Sequence, residues 1–538
     1  MADRKQTKDG LEIERRGYWP LRLNCKDSSR HGRHGEPHEM VFEDGAVFNG
    51  VDSSIRLPEL HETDGTRPFT LSLEFDARDE SGVLPGGICS RYDQETMSGW
   101  HLSVLTQAGV TSAQSNWRNV QFGWGSEHPK DRWQHVGNPG NSRMICALCV
   151  FAGELYAGIF DDARDYRGRV YKLGENEGEW IDCGNPDDSN SVWTLAEYNG
   201  RLYAGTMRYK AAGSLIPDSP NQEPGGKIYR YDGGKSWTFF AQLPVADSVG
   251  ALAVYRGKLI AMPYYSYGFY SFDETGNCED WGTPGPEGKT RTMTMAPYQG
   301  RFFAGCNEAK GVYSRTLDEP WVYNGKVDKC DQVYCFTVYH NRLAMGVWPE
   351  ARMSRYEGGE AWSDYGLMGS ELEVMGISIF NGKLYGGTLP GGHVYRYTGN
   401  NSWELSGVLE QPNPDIKYRR VWSMAVYRGS LYAGTLPGGH VWKLSNDPLA
   451  TEDASLSAGW HKATITYDME QLSLYMDGKL ISSASFDDRE RSSLAGIPFV
   501  LGIGPQSHFS GKIREVELFD QALSAEEIAE SFRAGEPS

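Results

Sequence analysis

Short apolar runs recur through the middle of the chain, each closed by a turn signal and followed at once by a second apolar run. The first copy reads ICALCVFAGELYAG from Ile145. VWTLAEYNGRLYAG follows from Val192, VGALAVYRGKLIAM from Val249, TMTMAPYQGRFFAG from Thr292, VYCFTVYHNRLAMG from Val333, VMGISIFNGKLYGG from Val374 and VWSMAVYRGSLYAG from Val421. The copies are 47, 57, 43, 41, 41 and 47 residues apart, which fits one small antiparallel sheet per copy. Each predicts a buried strand, a tight hairpin such as Asn199-Gly200 or Arg428-Gly429, a second strand, a variable loop, and a third strand such as KIYRY or HVYRY. A fourth strand is marked by tryptophan.

The tryptophans predict how the repeat closes. Trp180, Trp237, Trp281, Trp321, Trp362 and Trp403 end units one to six, and the seventh unit has none before the pattern stops near Leu444. The missing one is upstream, Trp133 in DRWQHVGNP, so the outer strand of the seventh unit is expected from the N-terminal side. A ring closed in this way has no free sheet edge. Residues 127–450 therefore read as a seven-bladed β-propeller with three-plus-one closure.

On either side, TLSLEFD and LSLYMDGKL alternate with period two around an Asp-Gly turn, and Ser524 with Glu527 forms a capping box for a short terminal helix. The segments FNGVDSSIRLP, GWHKATITYDMEQLSLYMDG and GKIREVELFDQALS resemble the laminin-G-like, concanavalin-type jelly roll. That resemblance covers residues 17–126 and 452–538 and implies one β-sandwich in two pieces. The fold class is all-β, a seven-bladed β-propeller inserted into a concanavalin-like β-sandwich, an architecture similar to that of carbohydrate-active enzymes. The likeness is one of architecture and does not itself identify a site.

Composition narrows the partners. With 538 residues, 39% hydrophobic, 12% aromatic, 64 Gly and 26 Pro, the chain has core enough for two or more domains and is neither disordered nor collagen-like. A net charge of −18, from 71 acids against 53 bases, excludes a surface that tracks nucleic acid, so any bound anion needs a local cationic pocket. No apolar run has the length to span a bilayer as a helix, and MADRKQTKDGLEIERR lacks the apolar stretch of a leader. The expected partner is a poly- or oligosaccharide, with no nucleic acid and no membrane; compartment and oligomeric state stay open. The nine cysteines are odd in number and scattered, which is no disulfide framework. Cys146 and Cys149 form C-x-x-C, but no second pair follows and strand alternation sends the two thiols to opposite faces. No motif nominates a metal or a cofactor.

Function is expected on the face bearing the variable loops, since the hairpins on the other face are uniformly short. The residue ahead of each inner strand points at the mouth of the central channel: Met144, Ser191, Ser248, Arg291, Gln332, Glu373 and Arg420. Arg143, Asp247, Asp331 and Arg419 come one step earlier. The neighbouring loops add Asp161, Asp162, Arg208, Tyr209, Tyr264, Tyr265, Asn307, Glu308, Lys310, Trp348 and Glu350. Aromatic faces, carboxylates and arginines together suit a sugar carrying acidic or sulfated groups. Arg143, Arg208, Arg291, Arg420, Tyr265, Trp348, Asp247 and Glu350 are the expected substrate-binding residues, and Glu373, Glu308, Asp161 and Tyr264 the expected catalytic ones.

Two chemistries fit. A glycoside hydrolase needs two carboxyls across the scissile bond, and Glu373, Glu308, Glu350, Asp161 and Asp162 can supply them; their number favours this reading. A polysaccharide lyase instead needs a cation on the uronate and a group that exchanges the proton, for which Arg291 or Arg420 with Tyr264, Tyr265 or Tyr209 would serve. The alternative from another class is a glycan- or protein-binding lectin, disfavoured because the rim residues differ from blade to blade. His393 and His440 occupy identical TLPGGHV segments, and duplication of that kind marks a structural turn. No G-x-S-x-G elbow, P-loop, H-E-x-x-H or sialidase S-x-D-x-G-x-T-W box occurs.

Overall fold

The computed structural model describes residues 4–6, 12–77, 82–107, 114–244, 246–285, 288–486 and 493–535. The repeat folds into seven blades whose inner strands are Met144–Phe151, Ser191–Tyr198, Ala251–Tyr255, Thr292–Tyr298, Gln332–Tyr339, Glu373–Phe380 and Arg420–Tyr427. Each turns into its second strand through two residues of positive φ, as at Asn199 and Gly200 (48° and 65°) or Arg428 and Gly429 (44° and 67°). That mirror-image turn matches the twist of the flanking strands and keeps the hairpin face flat. Five blades are separate four-stranded sheets; blades one and two are joined where Phe160 pairs with Ser191. The outer strand of blade seven is Arg132–His135, with Trp133 opposite Leu444, so the ring closes through the N-terminal segment.

The tryptophans that mark the outer strands stitch the blades together. The indole N–H of Trp180 donates to the Val136 carbonyl at 2.9 Å, Trp237 to Cys183 at 2.9 Å, Trp321 to Trp281 at 3.0 Å, Trp362 to Asn324 at 2.7 Å and Trp403 to Tyr365 at 2.9 Å. Trp133 uses the Ser406 hydroxyl at 3.0 Å. In the first five a strand-end carbonyl of the preceding blade gains a donor, in the sixth a hydroxyl, and a large ring fills the wedge that opens between sheets as they fan outward.

The flanks form the sandwich. One sheet aligns Phe69–Asp76 between Ser510–Phe519 and His461–Tyr467, so strands from the two ends of the sequence alternate; the other runs through Gly86–Asp93, Ser98–Gln107 and Asn116–Gly125. The chain returns to this second sheet at Leu449–Thr451, which pairs with Asn116–Gly125. Between the sheets lie Trp19, Trp100, Phe69, Phe75, Phe122 and Tyr467. Ser524 and Glu527 exchange the two hydrogen bonds of a capping box, at 2.8 and 3.3 Å, ahead of the helix Ala525–Gly535.

The sandwich packs on the hairpin face of the propeller. Tyr92 donates its hydroxyl to the Gly382 carbonyl at 2.6 Å, Asn341 Nδ2 reaches the Val51 carbonyl at 2.6 Å, and Asn116 receives the Val426 amide at 2.9 Å. The loop face is left as the way into the ring. Glu197, buried at this junction, is pushed up to about 7 by burial, partly offset by the Ser455 hydroxyl and by Arg118. The folded protein thus holds this proton more tightly than the unfolded chain, whose glutamate titrates near 4.5. Its favourable contribution is complete below that value and is lost as pH rises through about 7. Glu197→Gln is expected to flatten the decline of stability from mildly acid to mildly alkaline pH by roughly 3 kcal/mol, measured by urea unfolding across that range; an unchanged profile would contradict the assignment.

Candidate functional site

Six of the seven inner strands carry a β-bulge at the same level. The pairing skips at Cys146, Trp193, Met293, Tyr334, Met375 and Trp422. A bulge leaves its extra residue out of the ladder and re-aims its side chain. Here five of those residues, Cys146, Trp193, Tyr334, Met375 and Trp422, gather into one cluster that fills the channel. Trp193 is its hub, with ring centroids 5.2 Å from Trp422, 4.7 Å from Tyr209 and 5.1 Å from Tyr264.

At the loop-face end of this floor, the first residues of blades six and seven bring in Glu373 and Arg420, only 4% and 7% exposed. Glu373 is pushed up to about 7 by burial, against the opposing pull of Arg420 and a hydrogen bond from Tyr334. Burial holds the phenols of Tyr264 and Tyr334 far above the ordinary tyrosine value, and the Glu373 charge adds to it, so both stay protonated. Among the described residues, Glu373 Oε1, Arg420 Nη1 and the Trp193 indole nitrogen are buried without a hydrogen-bond partner. Orphaned polar atoms are costly in a native interior, and these three make the buried group the candidate place to meet polar groups of a ligand.

A loop of blade two packs over part of this group. After Met207 the chain folds back over the mouth and buries Tyr209, Ala211 and Ile216 against Trp193 and Trp422. Five of the residues expected to meet a ligand hold this loop. Arg143 Nε donates to Asp161 at 3.0 Å and its Nη1 to the Pro217 carbonyl at 2.7 Å; Asp161 also accepts from Ser219 at 2.6 Å. Burial raises the Asp161 carboxyl, with Ser219 and Arg143 opposing. Arg208 pairs with Asp247 at 3.0 Å, and Tyr265 receives the Lys210 amide at 3.0 Å under the Lys210 ammonium at 4.5 Å.

The remaining expected residues lie outside the buried group. Arg291 is gripped by Asn307, whose amide oxygen, turned toward the guanidinium, accepts at 2.7 and 3.1 Å. Glu308 is 60% exposed, with Lys310 3.8 Å away. Glu350 pairs with Lys329 at 3.2 Å and Arg352 at 3.3 Å, and those cations draw its carboxyl below the usual range. Trp348 is half-buried at the end of the second strand of blade five. Asp162 is locked by Arg164 at 2.8 Å. In the duplicated TLPGGH turns, Glu371 accepts from the Gly391 amide at 2.8 Å and Glu410 from the Gly438 amide at 3.1 Å, so each turn is pinned by the preceding loop. Cys146 lies in the channel cluster and Cys149 in a different one between blades, both raised by burial.

Trp193, Tyr334 and Trp422 were not among the residues expected from the sequence. Each stands two positions after a mouth residue, Ser191, Gln332 and Arg420, so extending strand alternation one step further inward finds them. Away from the ring, Ser457, His461 and Asp477 are linked at 3.0 and 2.9 Å. The serine is exposed on a turn and the carboxylate is 41% exposed. Asp477 also caps the Lys462 amide at 2.8 Å, which makes the trio a lock for one sandwich hairpin.

A family model described as the concanavalin A-like lectin/glucanases superfamily matches residues 428–529. The match begins inside blade seven and continues through the C-terminal part of the sandwich. No curated protein matches the sequence. Among solved structures the chain is similar to a virginiamycin B lyase from Staphylococcus aureus, at 10% identity and TM-score 0.46, covering 59% of this chain and 99% of that one. It is similar also to a streptogramin B lyase, at 11% identity and TM-score 0.45, covering 59% and 98%. A third is a protein of unknown function from Bacteroides thetaiotaomicron, at 10% identity and TM-score 0.38, covering 78% and 98%.

Proposed function

We propose that the protein is a carbohydrate-active enzyme that cleaves a uronate-containing glycan at the propeller mouth, and that it does so by elimination. The observation that carries this reading is the buried group of Glu373, Arg420, Tyr264 and Tyr334, in which one carboxyl titrates near neutrality beside an arginine and two protonated phenols. In this scheme Arg420 meets the uronate carboxylate and takes up the charge that grows on it as the adjacent C–H bond breaks. Ionised Glu373 accepts that proton, a task for which a base titrating near the working pH is best matched. The electron pair forms the C4–C5 double bond, the C4–O bond breaks, and Tyr264 or Tyr334 protonates the leaving oxygen.

Hydrolysis is the second reading. It is favoured by Asp161, a second buried carboxyl whose value is raised like that of Glu373. Against it, Asp161 is engaged by Arg143 and Ser219, while Glu308 and Glu350 stand at the exposed rim. A digest of pectate, alginate, hyaluronan and neutral glycans separates the readings. Elimination yields new reducing ends together with the ultraviolet absorbance of an unsaturated uronate; hydrolysis yields reducing ends alone; retention on a glycan column without cleavage points to a lectin.

A further inference from the structure

A second cleft opens on the loop face, near the outer edge of blades six and seven. It holds about 620 Å³ and is walled by the connection from Leu409 to Arg419, by Pro437–His440, and by His135 and Trp442 of the closing blade. Two features suit it to sugar hydroxyls. The Trp442 ring is backed by His135, centroids 5.3 Å apart, and its indole nitrogen is buried without a partner among the described residues. His135 Nε2 and His440 Nδ1 are 3.1 Å apart, and burial holds both imidazoles below the ordinary histidine value, so the pair is neutral and each ring keeps one nitrogen for another partner.

The cleft and the buried group are joined along the chain by two successive residues. Arg419 lines the cleft, and Arg420 enters the buried group with Glu373. Strand alternation sends adjacent side chains to opposite sides, so one backbone step carries a cation into each compartment.

We infer that the cleft is a remote subsite for the same polymer whose reacting unit occupies the central pocket, so that the substrate is a polyuronate of several units running outward between blades six and seven past Arg419 to Trp442. This rests on the elimination reading above. Binding energy from distant units raises kcat/KM for long substrates above that for short ones. The test compares kcat/KM on decasaccharides and trisaccharides prepared from pectate, alginate and hyaluronan, for the wild-type chain, Trp442→Ala and His440→Ala. The ratio of long to short is expected to exceed unity in the wild type and to fall about tenfold in Trp442→Ala, and His440→Ala guards against a folding defect in the tryptophan variant. A wild-type ratio of unity, or ratios in both variants equal to that of the wild type, overturns the inference and leaves the central site standing. A wild-type chain that cleaves neither length of any of the three overturns the elimination reading and this inference with it.

Discussion

Glu373→Gln is expected to lose about 10²–10⁴-fold in kcat, the span associated with removing a positioned acid or base, while thermal unfolding stays close to that of the unaltered chain. The amide has nearly the same shape, among the described residues Glu373 Oε1 accepts no hydrogen bond, and a glutamine oxygen can keep the bond from Tyr334, so little structural cost attaches to the exchange. Arg420→Ala is expected to cost about 10²–10³-fold, as for loss of a donor aimed at developing charge. Under the elimination scheme both variants fail on the same substrates. A Glu373→Gln chain that retains wild-type turnover would remove Glu373 from the chemistry altogether.

Gly434→Val is expected to be the most damaging change away from the site. Gly434 lies on the second strand of blade seven, against the inner strand of blade one, and a Cβ built there falls 2.5 Å from both Cβ and Cγ2 of Ile145. The same seating recurs around the ring: Gly205 faces Val249, Gly305 faces Val333, Gly346 faces Val374 and Gly387 faces Val421, at 2.6–2.7 Å. Blades approach most closely near the axis, where a β-branched side chain takes the space that a missing Cβ leaves. At Gly434 the contact joins the last blade to the first, so overpacking there opposes closure. The expected loss is roughly 3 kcal/mol, toward the upper end for an overpacked core, read as a lower urea midpoint with an unchanged slope. An unaltered midpoint would mean that the seam relaxes without strain.

These glycines also explain why so much of the fold is legible in the sequence. The A-G and G-G steps after five of the seven hairpins, the valine or isoleucine that opens most copies, and the tryptophan on each outer strand are three parts of one blade-to-blade contact, so the repeat records packing as well as strand order. Trp133 betrays the closure because its indole must meet Ser406 in the preceding blade as its counterparts meet theirs. The site is less legible. Glu373 and Arg420 stand out as charged residues at positions bound to face the channel, but the loop after Met207 carries no signal that it folds back across the mouth. For that reason the sequence reads Arg143, Asp161, Arg208, Asp247 and Tyr265 as ligand contacts without showing that the chain's own roof also engages them. Trp193, Tyr334 and Trp422 become legible only when the alternation from Ser191, Gln332 and Arg420 is carried one step further inward, because a large apolar residue in an apolar strand otherwise looks like ordinary core.

The pH dependence of cleavage tests the central claim most directly. If Glu373 works as the base, its ionised form is the active one, and turnover rises with pH through about 7 and falls away on the acid side. If Glu373 instead works as the acid of a hydrolase, its protonated form is required and turnover declines as pH rises through the same value. The account predicts the rising limb, with an unsaturated product and with both lost in Glu373→Gln; a falling limb, with reducing ends and no unsaturation, would contradict it.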